Sequence, residues 1–267
     1  GERLMESVMR RYGFLVGALA IALLVKVNPS MAENATKAAT SPDPVANVFE
    51  DGSHIRVVDS LNGDRVVPLS LDPFPAVPGG TYEYTVHHAR AGRVGTYSNT
   101  VTINGSETIV ETDVNLRAKI LFMTVAREQA ERRQVWRDGR LVEFESVTRD
   151  KGDDRVTTGR AKGDSFVIEG GRGEQFVAPA NVFPTNPWTM HILRAGTLMG
   201  EKNGTLHPIR EIRMGTETIE FDSDVVETRY FKVSGDREKE LWYDENGVPV
   251  RFTIMHGGDL VTFTLNR

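Results

Sequence analysis

The sequence predicts a mainly β protein: a curved antiparallel meander sheet or open half-barrel, with a short helix packed on its concave side. Three observations carry this expectation. Gln134-Val135-Trp136-Arg137-Asp138-Gly139-Arg140-Leu141-Val142-Glu143-Phe144 reads as two strands closed by a tight turn. Asp-Gly is a strong hairpin signal because both central residues must accept φ > 0, which glycine does without strain. A second copy follows at Glu240-Leu241-Trp242-Tyr243-Asp244-Glu245-Asn246-Gly247-Val248-Pro249-Val250-Arg251-Phe252. Finally, short alternating runs recur between turn signals from Thr81 onward, and 25 glycines in 267 residues suit so many turns.

Both hairpins fit Trp-x-Asp, a glycine turn, then an apolar residue and Phe two positions on. The second copy carries two more residues in its turn. An even insertion keeps each side chain on the same face of its strand, so Trp136 and Trp242 are expected on one side.

The N-terminal segment reads as an address rather than part of the fold. Met9-Arg10-Arg11 starts a basic region, Phe14 to Val25 is an unbroken apolar run, and Ser30-Met31-Ala32 supplies small residues at a cleavage site. The run has about half the length of a bilayer span. A secretory signal over residues 1–32, cleaved near Ala32, is therefore expected, giving a periplasmic or secreted protein that meets the membrane only in transit. An uncleaved anchor is the alternative. Loss of residues 1–32 removes four of 32 basic and two of 37 acidic residues, which shifts the net charge from −5 to −7. A mildly acidic exported chain is a poor nucleic-acid binder. Cysteine is absent, which excludes disulfides, thiolate metal sites and a Cys nucleophile.

Residues 33–80 read as a flexible leader with a small hairpin. Residues 33–46 are rich in Ala, Thr, Ser and Pro, and two β-like runs, 54–59 and 65–71, flank Leu61-Asn62-Gly63-Asp64. Pro73, Pro75, Pro78, Gly79 and Gly80 then mark a boundary. The β domain is expected over 81–267. Its strands are read around Tyr82, Tyr84 and Val86; at 94–103; along 107–125 as one bent strand or two; through the first Trp hairpin at 131–149; and at 155–162 and 165–169. After an interruption they resume at 205–213, 217–221, 225–233, the second Trp hairpin and 260–265. The interruption spans 179–193. There Asn186 suits a helix cap and Pro187 a first helical position, so a short helix should carry Trp188, Ile192 and His191 towards the sheet.

With both hairpins and this interruption in place, a likeness emerges. Leu241-Trp242-Tyr243-Asp244, Gly247, Val250-Arg251-Phe252 and Gly258-Asp259-Leu260 resemble the exported proteobacterial domain of unknown function family DUF6134. So do Trp136, Gly139-Arg140-Leu141, Phe144 to Thr148, and the segment from Pro184 to Trp188. The likeness covers about Thr81 to Arg267. That family is similar in turn to DUF3108-like proteins and to the open β-barrels that carry lipoproteins through the periplasm. The resemblance implies a curved antiparallel sheet wrapped around a helix, and no activity.

Little points to catalysis. His87 and His88 are neighbours on a strand and must face opposite ways, while His54, His191, His207 and His256 lack metal-ligand spacing. No metal and no cofactor are expected. Gly-x-Ser-x-Gly and Ser-x-x-Lys sets are missing, and Gly170-Gly171-Arg172-Gly173 precedes no helical pattern. The aromatic residues are more informative. Trp136, Phe144, Trp188, Trp242 and Phe252, with His191, form a candidate ligand site on one concavity, with Arg137 or Arg251 as further polar groups at its mouth. The leading expectation is a non-enzymatic binder of a lipid or acyl chain. The alternatives are an envelope interaction module with a protein partner, and an unrecognised hydrolase.

Overall fold

The computed structural model describes residues 47–48, 54–62, 65–67, 74–120, 123–150, 153–221 and 224–267. The expected signal segment and residues 33–46 lie outside them. Eighteen strands are described: β1 (Asn47–Val48), β2 (His54–Asp59), β3 (Arg65–Val66), β4 (Gly80–His88), β5 (Gly92–Asn104), β6 (Glu107–Ile120), β7 (Met123–Arg137), β8 (Arg140–Asp150), β9 (Asp153–Lys162), β10 (Ser165–Glu169), β11 (Gln175–Pro179), β12 (Phe183–Pro184), β13 (Thr197–Met199), β14 (Leu206–Phe221), β15 (Asp224–Gly235), β16 (Lys239–Tyr243), β17 (Pro249–His256) and β18 (Asp259–Leu265).

The expected meander is present. Successive antiparallel ladders run from β4 to β11 and from β14 to β18, and β18 closes onto β4 through Val261↔His88 to Leu265↔Tyr84. One continuous curved sheet results. It is open: among the described residues no ladder joins β11 to β2 or β13. Across this seam Thr157 Oγ1 donates to the Lys202 carbonyl at 3.0 Å, and Lys202 Nζ donates to Asp150 Oδ2 at 2.8 Å.

Two expectations about strand ends resolve. The 107–125 run is two strands, β6 and β7, paired from Glu107↔Arg137 onward. By contrast, 205–213 and 217–221 are one strand, β14, because Gly215 stays in register opposite Tyr230. The sheet also begins before Thr81. The small hairpin exists as β2–β3 (Val58↔Val66), but β2 runs parallel beside β14, Glu211↔Arg56 to Met214↔Asp59. Ile55, Val57 and Val58 are fully buried there. Parallel pairing needs a long crossover and leaves no local turn signal, so sequence spacing gave no hint of it.

The turn chemistry explains both Trp hairpins, and it also corrects their register. Asp138 and Gly139 take φ of 50° and 75°, and Arg137 faces Arg140, so the first loop has two residues. In the second, Asp244 N–H donates to the Val248 carbonyl, and Asp244 Oδ1 accepts the N–H groups of Asn246 and Val248, all at 3.0 Å. That loop has three residues, with Gly247 at φ 73°. The loops therefore differ by one residue, and a one-residue difference exchanges the faces. Phe144 pairs with Gln134 and Phe252 with Leu241, and both ladders bulge one step later. Tyr243 thus occupies the place of Trp136, and Trp242 that of Val135.

The helix expected on the concave side does not start at Asn186 and Pro187, and what is present there is a five-residue 3-10 helix. It covers residues 190–194, preceded by Thr189 in extended conformation (φ −145°, ψ 155°). Side chains from the sheet hold the preceding residues instead. The Tyr243 hydroxyl donates to the Pro187 carbonyl at 3.0 Å and to the Thr189 carbonyl at 3.3 Å. Asn186, expected to cap the helix, exchanges hydrogen bonds with Asn99 and donates to Thr112. With these groups engaged by the sheet, Asn186 and Pro187 do not open a helix.

The core lies inside the curve. Met190, Ile192, Leu193, Leu198 and Met199, each at most 1% exposed, fill the concave side against Tyr84, Phe144, Phe166 and Tyr243. A second cluster (Ile219, Trp242 and Val250, with Phe221, Tyr230 and Leu265) packs on the outer face.

Candidate functional site

The filling of the concave side is incomplete. At one end it leaves a cavity of about 230 Å³, walled by Val94, Val114, Leu116, Phe252, Val261 and Phe263. The exposed His256 and the partly exposed His88 stand at its rim. A roomier depression on the outer face of β5–β8, about 510 Å³, is lined by Glu111, Asp113, Glu131, Arg133 and Glu145 and is a solvated charged surface.

Period-two alternation builds the walls. Along β17 and β18, Phe252 and Phe263 face each other across the ladder with rings stacked at 4.3 Å and 10°. Tyr97 from β5 meets both edge-on, at 5.7 and 5.3 Å. On β5 the alternation shifts at Gly95, so that Val94 and Tyr97 both line the cavity; there φ is +152° and an added Cβ would sit 2.0 Å from the Asn115 carbonyl oxygen.

One side of the cavity is charged. Arg132, on β7, reaches Glu201 at 3.4 Å, with both side chains under a tenth exposed, and Glu128 also at 3.4 Å. Glu201 further accepts hydrogen bonds from Gln134 Nε2 (3.3 Å) and Thr185 Oγ1 (3.4 Å). Trp136 Nε1 donates to Gln134 Oε1 at 3.1 Å, which orients that amide. Lys202 engages Glu128 at 3.5 Å as well as Asp150. Both glutamates thus have cationic partners.

Lys239 differs. It is 6% exposed and shares the inner face of β16 with Leu241 and Tyr243. Among the described residues no carboxylate lies within 4.0 Å of its ammonium. Burial pushes its pKa down to about 8; Glu201 opposes the shift, while Arg237 and Arg132 add to it. In the unfolded chain the same lysine titrates near 10.5. Below pH 8 the native state therefore carries a buried charge at a penalty of about 3 kcal/mol, from 1.36 kcal/mol per pKa unit. The penalty fades as pH rises through 8 and is gone above 10.5. Lys239→Met is accordingly expected to stabilise the protein by about 3 kcal/mol at pH 7. The advantage over the native protein should shrink to near zero by pH 10.5, as denaturant titrations at both pH values will show.

Among the sequence-predicted ligand residues, Phe252 lines this cavity. Trp136, Phe144 and Trp188 do face the concave side but are core. Trp136 packs on Phe183 at 4.5 Å and meets Trp188 at 6.0 Å, in space already taken by residues 182–199. His191 sits edge-on to Phe74 at 5.4 Å, away from the cavity lining. Trp242 is on the outer face, its ring tilted at 45° to that of Tyr230 at 5.2 Å, with Nε1 donating to Glu217 Oε2 at 2.7 Å. The expectation that three tryptophans line one concavity is thus corrected by the single-residue difference in loop length. Arg137 pairs with Glu107 at 2.9 Å, and Arg251 faces Trp242 across the ladder, so neither guards the mouth. Sequence reading missed Lys239, Arg132 and Glu201. Lys239 was within reach, because it alternates with Leu241, but the apolar residues on both faces of Leu241-Trp242-Tyr243 hid which side was inner.

No group of three or more potential ligands able to hold a metal ion occurs among the described residues. No helix among them is long and apolar enough to cross a membrane.

Sheet and cavity together define an open, β-barrel-like protein. The chain belongs to the family of domain of unknown function DUF6134, whose model matches residues 84–266. In fold it is similar to a β-barrel-like protein of domain of unknown function DUF1849 from Brucella abortus. That crystal structure matches with a TM-score of 0.52 at 10% identity, covering 72% of this chain and 98% of the other. A DUF1089 family protein from Pseudomonas aeruginosa matches more loosely, with a TM-score of 0.31 at 15% identity, covering 70% of this chain and 95% of the other. No curated protein matches the sequence.

Proposed function

We propose that this protein is an exported, non-enzymatic binder that takes an apolar or amphipathic ligand, such as an acyl chain, into its half-barrel. The observation that carries the reading is the apolar-walled cavity left on an otherwise filled concave side. Small-molecule sites are concave, mostly apolar and fitted with a few polar groups, and this cavity has that make-up. Its volume of about 230 Å³ falls below the roughly 300 Å³ of the smallest common ligand pockets, which favours one short chain over a multi-chain lipid. The apolar run over residues 14–25 supports export into the periplasm. Native mass spectrometry after mild purification is expected to find a co-purifying ligand, and a fluorescent fatty acid is expected to bind and be displaced by unlabelled chains. A ligand-free protein that ignores the fluorescent probe would defeat the proposal.

One observation favours a second reading, an envelope interaction module. β11 is a sheet edge with no outer partner among the described residues, and its Val177 is 67% exposed. Such edges are templates for strand addition. A pull-down that captures an envelope protein, and loses it on Val177→Lys, would support this reading over the first.

A further inference from the structure

We infer that the ligand is a single-chain carboxylate whose head group is held by Lys239 at the charged side of the cavity; this rests on the binding reading above. Three features of the site converge on it. Lys239 projects from the inner face of β16 between the apolar partners Val233 and Ile254, to which it is cross-strand paired. It also lines the same cavity as the apolar walls, so a chain lying against Phe252 and Phe263 has a cation within the same enclosure.

Direct contact, rather than net charge, selects the head group: the charged side chains at the cavity sum to zero, yet Lys239 has no carboxylate within 4.0 Å among the described residues. The charged residues lining the cavity are Arg132, Lys239, Glu128 and Glu201. Glu201 is engaged by Arg132, and Glu128 by Arg132 and Lys202, while Lys202 also holds Asp150. Lys239 alone has no carboxylate partner among the described residues. A buried ammonium in apolar surroundings is stabilised by one counter-charge brought into contact with it. A carboxylate makes that contact while adding one negative charge to a neutral set of side chains, whereas a phosphate dianion would add two. A neutral head group would leave the ammonium as it is. Burial also matters for selectivity: Lys239 is 6% exposed, and a charge-assisted hydrogen bond in such a setting is stronger than on the surface.

The test is isothermal titration of the purified native protein and Lys239→Met with decanoate, decanol and decyl phosphate at pH 7. The native protein is expected to bind decanoate at least tenfold more tightly than decanol and more tightly than decyl phosphate. Lys239→Met, which keeps the length and apolar stem of the side chain, should abolish the preference for decanoate while leaving decanol within threefold. Equal affinity of the native protein for acid and alcohol would overturn the carboxylate assignment and leave the binding reading intact. So would undiminished decanoate binding by Lys239→Met, or a tighter fit for decyl phosphate. Absence of binding by all three ligands would remove the binding reading itself. The folded state of the variant is checked independently by its cooperative unfolding, which the lost charge burial should raise rather than lower.

Discussion

Glu201→Ala is expected to lower the unfolding free energy by about 3–5 kcal/mol, the usual consequence of removing one partner of a buried ion pair. The carboxylate is the centre of the charged cluster: it neutralises Arg132 and accepts from Gln134 and Thr185. Its loss leaves Arg132 with Glu128 and removes the negative charge that opposes the desolvation of Lys239. Glu201→Gln preserves the shape and one acceptor oxygen, and should cost less, about 1–3 kcal/mol. The informative measurement is a double-mutant cycle with Lys239→Met by denaturant unfolding at pH 7. If Glu201 stabilises the lysine through space, the double variant will be more stable than the sum of the single changes predicts. Strict additivity would show that the two charges do not sense one another.

Phe252→Ala is the second large effect, with a loss of about 3–5 kcal/mol expected from a fully buried aromatic truncation. Phe252 is 3% exposed and belongs to a four-ring cluster drawn from four strands. It stacks on Phe263, and it meets Tyr84 and Tyr97 edge-on at 5.5 and 5.7 Å. Since β18 joins β4 at this point, the cluster fastens the two halves of the meander to each other. Phe252→Leu, which refills most of the volume, should recover more than half of the loss. Equilibrium unfolding of the two variants checks both figures. A small loss for the alanine variant would mean that the cavity beside Phe252 collapses without strain. The same residue is a wall of the cavity, so the alanine variant is also expected to bind a bulkier chain if it folds.

Much of the architecture was legible in the sequence because local chemistry carries it. Asp138-Gly139 named its own turn, and both residues take positive φ as that turn requires. Ser165–Glu169 and the final strand show alternation strong enough to place their ends within a residue. The candidate site was far less legible. Trp136 and Trp242 look equivalent in one dimension, and only the ladder shows that the second loop is longer by one residue rather than two. Asn186 and Pro187 look like a helix start, yet Asn99, Thr112 and Tyr243 reach them from strands up to 87 positions away.

By itself, then, the chain determined its class, its turns and most of its strands, and its motifs pointed to the family that residues 84–266 match. These are properties of neighbours in sequence: backbone preference at a turn and period-two burial along a strand. Tertiary structure alone decided which aromatic residues are core and which line a cavity, that β2 joins the sheet beside β14, and that Lys239 is buried without a carboxylate in contact. Those outcomes depend on what the far side of a sheet packs against. No local pattern encodes that, because the partner is brought there only when the sheet curves around it.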